Sequence, residues 1–404
     1  MNALEKKFAA LAADAAPGQE VRQDLSGVQA EMMGGLLSGT PVDFSHGDVD
    51  AHPPTPGSAE VWQNGFKAGG QQAYTEYRGA KEIREKVALR LTNFTGREVN
   101  AKSELIITPG TQGALFLALG SCVTSGTKVA VLEPDYFANR KLVVFFGGEV
   151  VPVALKFSGQ GDENGPNLAQ LEAAFQSGTE VLVFSTPNNP TGVVYSAADI
   201  AEIARLSSEY GVTVIVDQLY SRLLYSNETY THLRSDPSAP KNLITIMGPS
   251  KTESLSGFRL GVAFGTASLI ERMERLQAIV SLRAAGYNQA ALETWFNEPE
   301  GWMDTRIAAH QAIRDDLVDL FRGAKIEVTV PQAGSYVFPK LPPLSVSSEV
   351  FVKLLRIQAA VTVTPGSEFA PGTGDSIRLN FSQDHEAAVA ATKRIIQMIE
   401  RYKA

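Results

Sequence analysis

The sequence predicts an α/β fold: a large domain with a mostly parallel seven-stranded sheet, and a smaller α+β domain. Two observations carry this. Short runs rich in Val and Ile recur with helical patterns between several of them, the alternation of a parallel sheet covered on both faces. After about residue 289 the pattern changes to mixed strands and helices. At 404 residues the chain is too long for one ordinary core.

The first 16 residues read as an amphipathic helix, with Leu4, Phe8 and Leu11 on one face. Val42 to Asp48 is a short extended run, and Pro53, Pro54 and Pro56 follow as a linker signal. Helical spacing is expected between Trp62 and Gly70 and from Lys81 to Phe94, with Tyr74 to Gly79 as a loop between them. The seven strand-like runs are Glu104 to Thr108, Lys128 to Leu132, Glu149 to Leu155, Glu180 to Ser185, Val212 to Asp217, Leu243 to Met247 and Arg259 to Gly265. Helices are expected at Gln112 to Ser121, Leu168 to Gln176, Ala197 to Glu209 and Ser268 to Leu282, and another starting at Gln289. In the tail, strand-like runs at Lys325 to Val330, Ser335 to Phe338, Ala360 to Thr364 and Ser376 to Phe381 alternate with helices at Ser347 to Gln358 and His385 to Arg401.

Composition excludes several classes. Lys and Arg number 36 against 44 Asp and Glu, with no basic block, so no nucleic-acid footprint is present. The single Cys122 rules out an intramolecular disulfide and suits a reducing cytoplasm. No apolar run approaches the roughly 18 residues of a membrane span.

A ligand of such a sheet is expected beyond the carboxyl ends of its strands, and polar residues gather there. The run Ser250 to Gly261 (SKTESLSGFRLG) can hold an amine and a guanidinium over one small anionic molecule. One reading is a Schiff base between Lys251 and pyridoxal phosphate, with Arg259 and Ser250 on the phosphate; the other is a surface lysine and arginine in a polar loop. Gly110-Thr111-Gln112 lies between a strand and a helix, where backbone N–H groups can take an anion. It lacks the lysine of a nucleotide-binding loop, which favours a single phosphate monoester. Asp217 ends an apolar strand, a costly place for a carboxylate without a cationic partner. A helix cap is the competing reading for Asp217, and simple packing for Tyr220. The loop from Ser185 to Gly192 is a prolyl turn with amide side chains; Gly159 to Glu163 reads as a solvated loop.

Taken in order, the segments YTEYRGAKEIR (74–84), PGTQGAL, PDY, NNPTG, DQLY, SKTESLSGFRLG, PGSEF and RLNF make the chain resemble the class I/II aminotransferases of the aspartate aminotransferase fold, fold type I of the pyridoxal-phosphate enzymes. The resemblance covers nearly the whole chain. It implies that Lys251 carries the cofactor, Asp217 pairs with its ring nitrogen, and Tyr220 and Asn189 bond its phenolic oxygen. Tyr136 matches the stacked aromatic residue. Gly110, Thr111, Gln112, Ser250 and Arg259 match the phosphate cup, and Tyr74 reaches it from a second subunit of a homodimer. Arg378 matches the arginine on the substrate α-carboxylate, with Gly47 near it and Asn189 also touching substrate. The implied division is an arm and part of the small domain at 1–50, the cofactor domain at 51–288, and the small domain at 289–404.

The expected reaction is amino transfer between an L-amino acid and a 2-oxo acid in the cytoplasm. Other reactions of the fold, namely racemisation, decarboxylation, β-elimination and cyclopropane formation, use the same contacts. A non-catalytic binding protein would need a basic DNA-binding segment, absent before Val42. Some positions depart from the family pattern. Gln218 replaces a common Glu, and Arg222 and Arg283 are arginines that either read an acidic substrate side chain or form ion pairs. His46, beside Gly47, is either at the pocket mouth or solvated.

Overall fold

The computed structural model describes residues 1–12, 16–19, 23–47, 50–68, 73–158 and 164–404. The expected solvated loop at Gly159 to Glu163, Asp48 and the outer ends of the first two predicted helices lie outside these residues. Among the described residues nine strands reach up to residue 265: β1 (Val42–Asp43), β2 (Leu105–Pro109), β3 (Lys128–Glu133), β4 (Glu149–Lys156), β5 (Gly165–Pro166), β6 (Val181–Ser185), β7 (Thr213–Asp217), β8 (Leu243–Met247) and β9 (Leu260–Gly265). Eight of them form one sheet in the order β2-β9-β8-β7-β6-β3-β4-β5. The seven expected strands are all present, and the two-residue β5 adds an antiparallel edge beside β4.

Strands β8, β7, β6, β3 and β4 run parallel. Strand β9 is antiparallel to both β2 and β8, so β2 points the same way as β8. One edge of the sheet therefore collects the carboxyl ends of β2, β3, β6, β7 and β8 together with the start of β9. Every residue of β6 and β8 is buried, as expected for central strands with helices on both faces. Helices at Gly110–Cys122, Phe137–Phe145 and Ala267–Val280 contribute Ala114, Leu117, Ala138, Val143 and Met273 to one face. Those at Leu168–Gln176 and Ala197–Glu209 contribute Leu171, Phe175, Ile200 and Ile203 to the other.

A separate core joins Val28, Val42 and Phe44 to residues between Ile313 and Tyr402. Here β10 (Tyr336–Val337), β12 (Thr364–Pro365) and β13 (Ile377–Asn380) form an antiparallel sheet, and β1 pairs in parallel with β11 (Val361–Thr362). Helices Trp302–Gly323, Ser348–Ala359 and His385–Tyr402 pack on it. Three expectations are corrected. Lys325 to Val330 forms no strand; Glu327 makes only an isolated bridge to Lys340. The helix expected from Gln289 ends there, as Gly286–Gln289 passes into a 3₁₀ turn, and Glu298-Pro299 interrupts the chain before Trp302. The first helix forms at Ala3–Leu11, capped by Asn2 and Glu5, but buries none of its residues. Helix Trp302–Gly323 hides its apolar stripe because Arg306 and His310 occupy buried positions on it. Among the described residues no helix is long and apolar enough to cross a membrane.

Candidate active site

The strand edge described above opens into a cavity of about 280 Å³. Its base is built by close backbone approach. Gly110 has φ +78°, and a Cβ there would lie 2.5 Å from Arg259 Nη2. A Cβ on Gly261 would stand 2.4 Å from Gly110 C and Thr111 N. Only glycine lets β9 pass this close to the first turn of the helix that follows β2. The result is a cup of N-terminal helix backbone, the Thr111 and Ser250 hydroxyls and the Arg259 guanidinium, a ready site for a phosphate.

Above the cup stands Lys251, whose Nζ has no hydrogen-bond or ion-pair partner among the described residues. Asp217, from the end of β7, is the one carboxylate among the described residues lining the cavity. It accepts a bond from Leu219 N at 3.0 Å, and burial pushes its carboxyl up to about 6. The Tyr220 hydroxyl meets that of Tyr336 at 2.5 Å, and burial with this contact raises its pKa well above the usual phenol range. The Tyr136 hydroxyl donates to Gln112 Oε1 at 2.8 Å, and burial pushes that phenol up as well.

Arg378 is buried with neutral partners. Nη1 donates to Asn189 Oδ1 at 3.1 Å and Nη2 to Ser45 O at 3.0 Å, while Nε has none. Its guanidinium lies over the rings of Tyr336 and Phe369, 4.4 and 4.8 Å from their centroids. A buried guanidinium without a carboxylate is costly and therefore suited to an incoming anion.

Of the residues singled out by sequence, Thr111, Gln112, Tyr136, Asn189 and Asp217 line the cavity, and so do Tyr220, Ser250, Lys251, Arg259 and Arg378. Gly110 forms the cup behind Thr111. Gly47 lines an adjoining cavity that shares His46, Tyr220, Ser250 and Lys251 with the first. Tyr74 is 78 % exposed and outside both cavities of its own chain. Gln218 turns away and pairs with His232 Nδ1 at 3.1 Å. Arg222 is held by Glu253 and Glu298, the latter through Nη1 and Nη2 at 2.8 and 2.9 Å. Arg283 lies over Tyr74 and Tyr77. His46 sits at the mouth, paired loosely with Asp43 at 3.4 Å, which raises its imidazole to about 9.

Sequence reading missed Tyr336, Phe369, Ser45 and the stretch Pro17-Gly18, all at or beside the cavity. The SYVF run (335–338) carried only a strand signal, and Phe369 stands in the PGSEF segment without a polar group to mark it.

A small anion bearing an aldehyde, a basic ring and a phosphate fits this set: an amine and a carboxylate that lack charged partners among the described residues, an aromatic face and a cationic cup. With the fold, the set defines a pyridoxal-phosphate enzyme of fold type I. Sequence comparison makes the assignment specific, since residues 42–395 match the aminotransferase class I and II family. The chain belongs to that family, and it is a transferase whose cofactor is pyridoxal phosphate. An aspartate aminotransferase of Rhodobacter sphaeroides is similar over the full length of both chains, with 58 % identity and a TM-score of 0.95. The aspartate/prephenate aminotransferase of Thermus thermophilus is 28 % identical, covering 83 % of this chain and 85 % of its own. A putative aminotransferase of Bacillus subtilis is 29 % identical over 82 % and 85 %.

Proposed function

We propose that this aminotransferase takes its amino group from a dicarboxylic L-amino acid, with aspartate the leading donor, and passes it to a 2-oxo acid. The observation that carries the site assignment is the buried Arg378, which among the described residues has only neutral partners, facing the same cavity as Lys251, whose Nζ has none among them. The aspartate-type names of the similar proteins support the donor.

When bound, pyridoxal phosphate supplies a sink for the electron pair left as the substrate Cα loses its proton. The protein's own groups do the rest. Lys251 Nζ would be the point of covalent attachment and, when not so attached, the base placed to take the substrate Cα proton. Asp217 favours a protonated ring nitrogen, and such a partner would draw its raised carboxyl back to the charged form. Tyr220 and Asn189 would donate to the ring oxygen and Tyr136 cover the ring face. Gly110, Thr111, Gln112, Ser250 and Arg259 would hold the phosphate. Arg378 would grip the α-carboxylate as a two-pronged donor, a geometry lysine does not reproduce, with Gly47 and Asn189 beside it.

The unit in solution is proposed to be a homodimer in the cytoplasm, with Tyr74 completing the partner's phosphate cup. Exposed Tyr74, Ile279 and Leu282 beside Arg283 support such an interface. The working division is 1–50, 51–288 and 289–404; the core shared by residues from both ends of the chain supports it.

The test is a panel of amino acids and 2-oxo acids, reading interconversion of the two cofactor forms by absorbance. Dicarboxylic donors are expected to convert fastest. Lys251→Ala should abolish turnover and the absorbance of the lysine-bound cofactor; an unchanged spectrum would overturn the anchor.

A further inference from the structure

Asp135, in the turn after β3, touches neither cavity and is fully buried. Burying a carboxylate demands compensation, and among the described residues no lysine or arginine pairs with it. Three hydrogen bonds compensate it instead. Oδ1 accepts from Tyr136 N at 2.6 Å and from Ser185 Oγ, and Oδ2 accepts from Ser185 N at 2.8 Å.

Each partner leads to the site. Tyr136 covers one wall of the cavity. Ser185 ends β6, and its Oγ accepts from Asn189 N at 3.2 Å. Asn189 Oδ1 in turn receives Arg378 Nη1 at 3.1 Å. Asp135 also donates its own N–H to Phe369 O at 3.2 Å, and the Phe369 ring lies against the Arg378 guanidinium. One path therefore runs from this carboxylate to the arginine, a second runs there from the Asp135 backbone, and a third leads from the carboxylate to the aromatic wall.

We propose that Asp135 is a positioning residue for amino transfer, holding the Tyr136 ring face and the Arg378 fork in one frame through Ser185 and Asn189. The proposal rests on the roles assigned above to Tyr136, Asn189 and Arg378. Only a carboxylate of this length suits the place. Ser185 presents its N–H and O–H to opposite oxygens while Tyr136 adds a third donor, so an amide would turn one acceptor into a donor facing a donor. The reach to two strand ends also explains how groups on β3 and β6 stay aligned with one from β13.

The test uses the holoenzyme with Asp135→Asn and Ser185→Ala, reading the absorbance of bound cofactor, kcat and KM separately, and thermal unfolding of the apoprotein. Asp135→Asn should shift the cofactor absorbance and lower kcat/KM by roughly a hundredfold, the cost of a misplacement near 1 Å. Ser185→Ala removes the hydroxyl that links Asp135 to Asn189 and Asn188 but keeps the bond from Tyr136 N, so KM for the amino acid should rise while the absorbance stays as in the wild type. The double variant should be little worse than Asp135→Asn alone, since both act on one path. Asp135→Asn with lowered thermal stability but wild-type spectrum, kcat and KM would overturn the proposal, as would Ser185→Ala with an unchanged KM. If Asp135→Asn does not fold, Ser185→Ala decides alone. Failure of the underlying reading shows separately, as a wild type without amino transfer or an Arg378→Ala variant with unchanged KM.

Discussion

Two arginines withdrawn from solvent, the largely buried Arg222 and the buried Arg378, end in opposite circumstances. Arg222 lies between Glu253 and Glu298, over the Phe296 ring. Its positive charge is matched inside the chain. Burial and the neighbouring Glu298 push Glu253 up to about 7, while the bonds from Arg222 hold Glu298 below its usual range. Arg378 donates to an amide oxygen, a carbonyl and a hydroxyl, all neutral, and its Nε has no partner among the described residues. An arginine neutralised by its own chain serves the fold; one surrounded by neutral acceptors is left for an external anion. Lys141 and Lys251 repeat the contrast, the first bound to Glu368 and the Ala12 carbonyl at 2.5 Å each, the second without a partner among the described residues.

The contrast can be broken by experiment. Arg222→Ala should cost about 3–5 kcal/mol of folding stability, because it strands two buried carboxylates. Denaturant unfolding measures it, and KM of the folded fraction should stay near the wild-type value. A stable Arg222→Ala variant that loses dicarboxylic substrates selectively would instead place this arginine in substrate recognition. Arg378→Ala should do the reverse. KM for the amino acid should rise by about tenfold to a hundredfold, the worth of charge-assisted bonds of about 1.5–3 kcal/mol, with little change in stability or cofactor affinity.

A smaller effect sharpens the comparison at the cup. Gly261→Ala places a methyl against the backbone of Gly110 and Thr111, an overpacking worth about 1–3 kcal/mol. Cofactor release should accelerate while KM for the amino acid moves less. The smallest effect is expected at His46, a cation paired at the solvent edge. Its folded pKa of about 9 lies above the ordinary 6.5. The pair's contribution is therefore complete below about pH 6.5 and is lost as pH rises through about 9. Exposed pairs are worth about 0–1 kcal/mol, so His46→Gln should only flatten stability over that window. A steeper loss than in the wild type would contradict the assignment.

Much of the site was legible because each motif is local. Gly110-Thr111-Gln112, Asp217, Ser250, Lys251 and Arg259 sit at the ends of strands whose apolar runs are continuous, and the sheet gathers those ends along one edge. Tyr336 and Phe369 were not legible, because an aromatic residue in a short strand or turn looks the same whether it fills a core or backs an arginine. The Trp302–Gly323 helix was obscured by buried Arg306 and His310, which interrupt its apolar stripe yet find partners in Pro53 and Ser382.

By itself the sequence determined the seven main strands, the strand-end motifs and the family, since these depend on residue type and spacing along the chain. Only the tertiary structure decided which charges are spent internally. The sequence placed Arg378 on a substrate by resemblance alone and left Arg222 open between a substrate and an ion pair; in the fold Arg222 meets a glutamate 76 positions away and Arg378 an asparagine 189 positions away. Whether a buried charge is matched or waiting depends on contacts across such distances, and no local pattern encodes them.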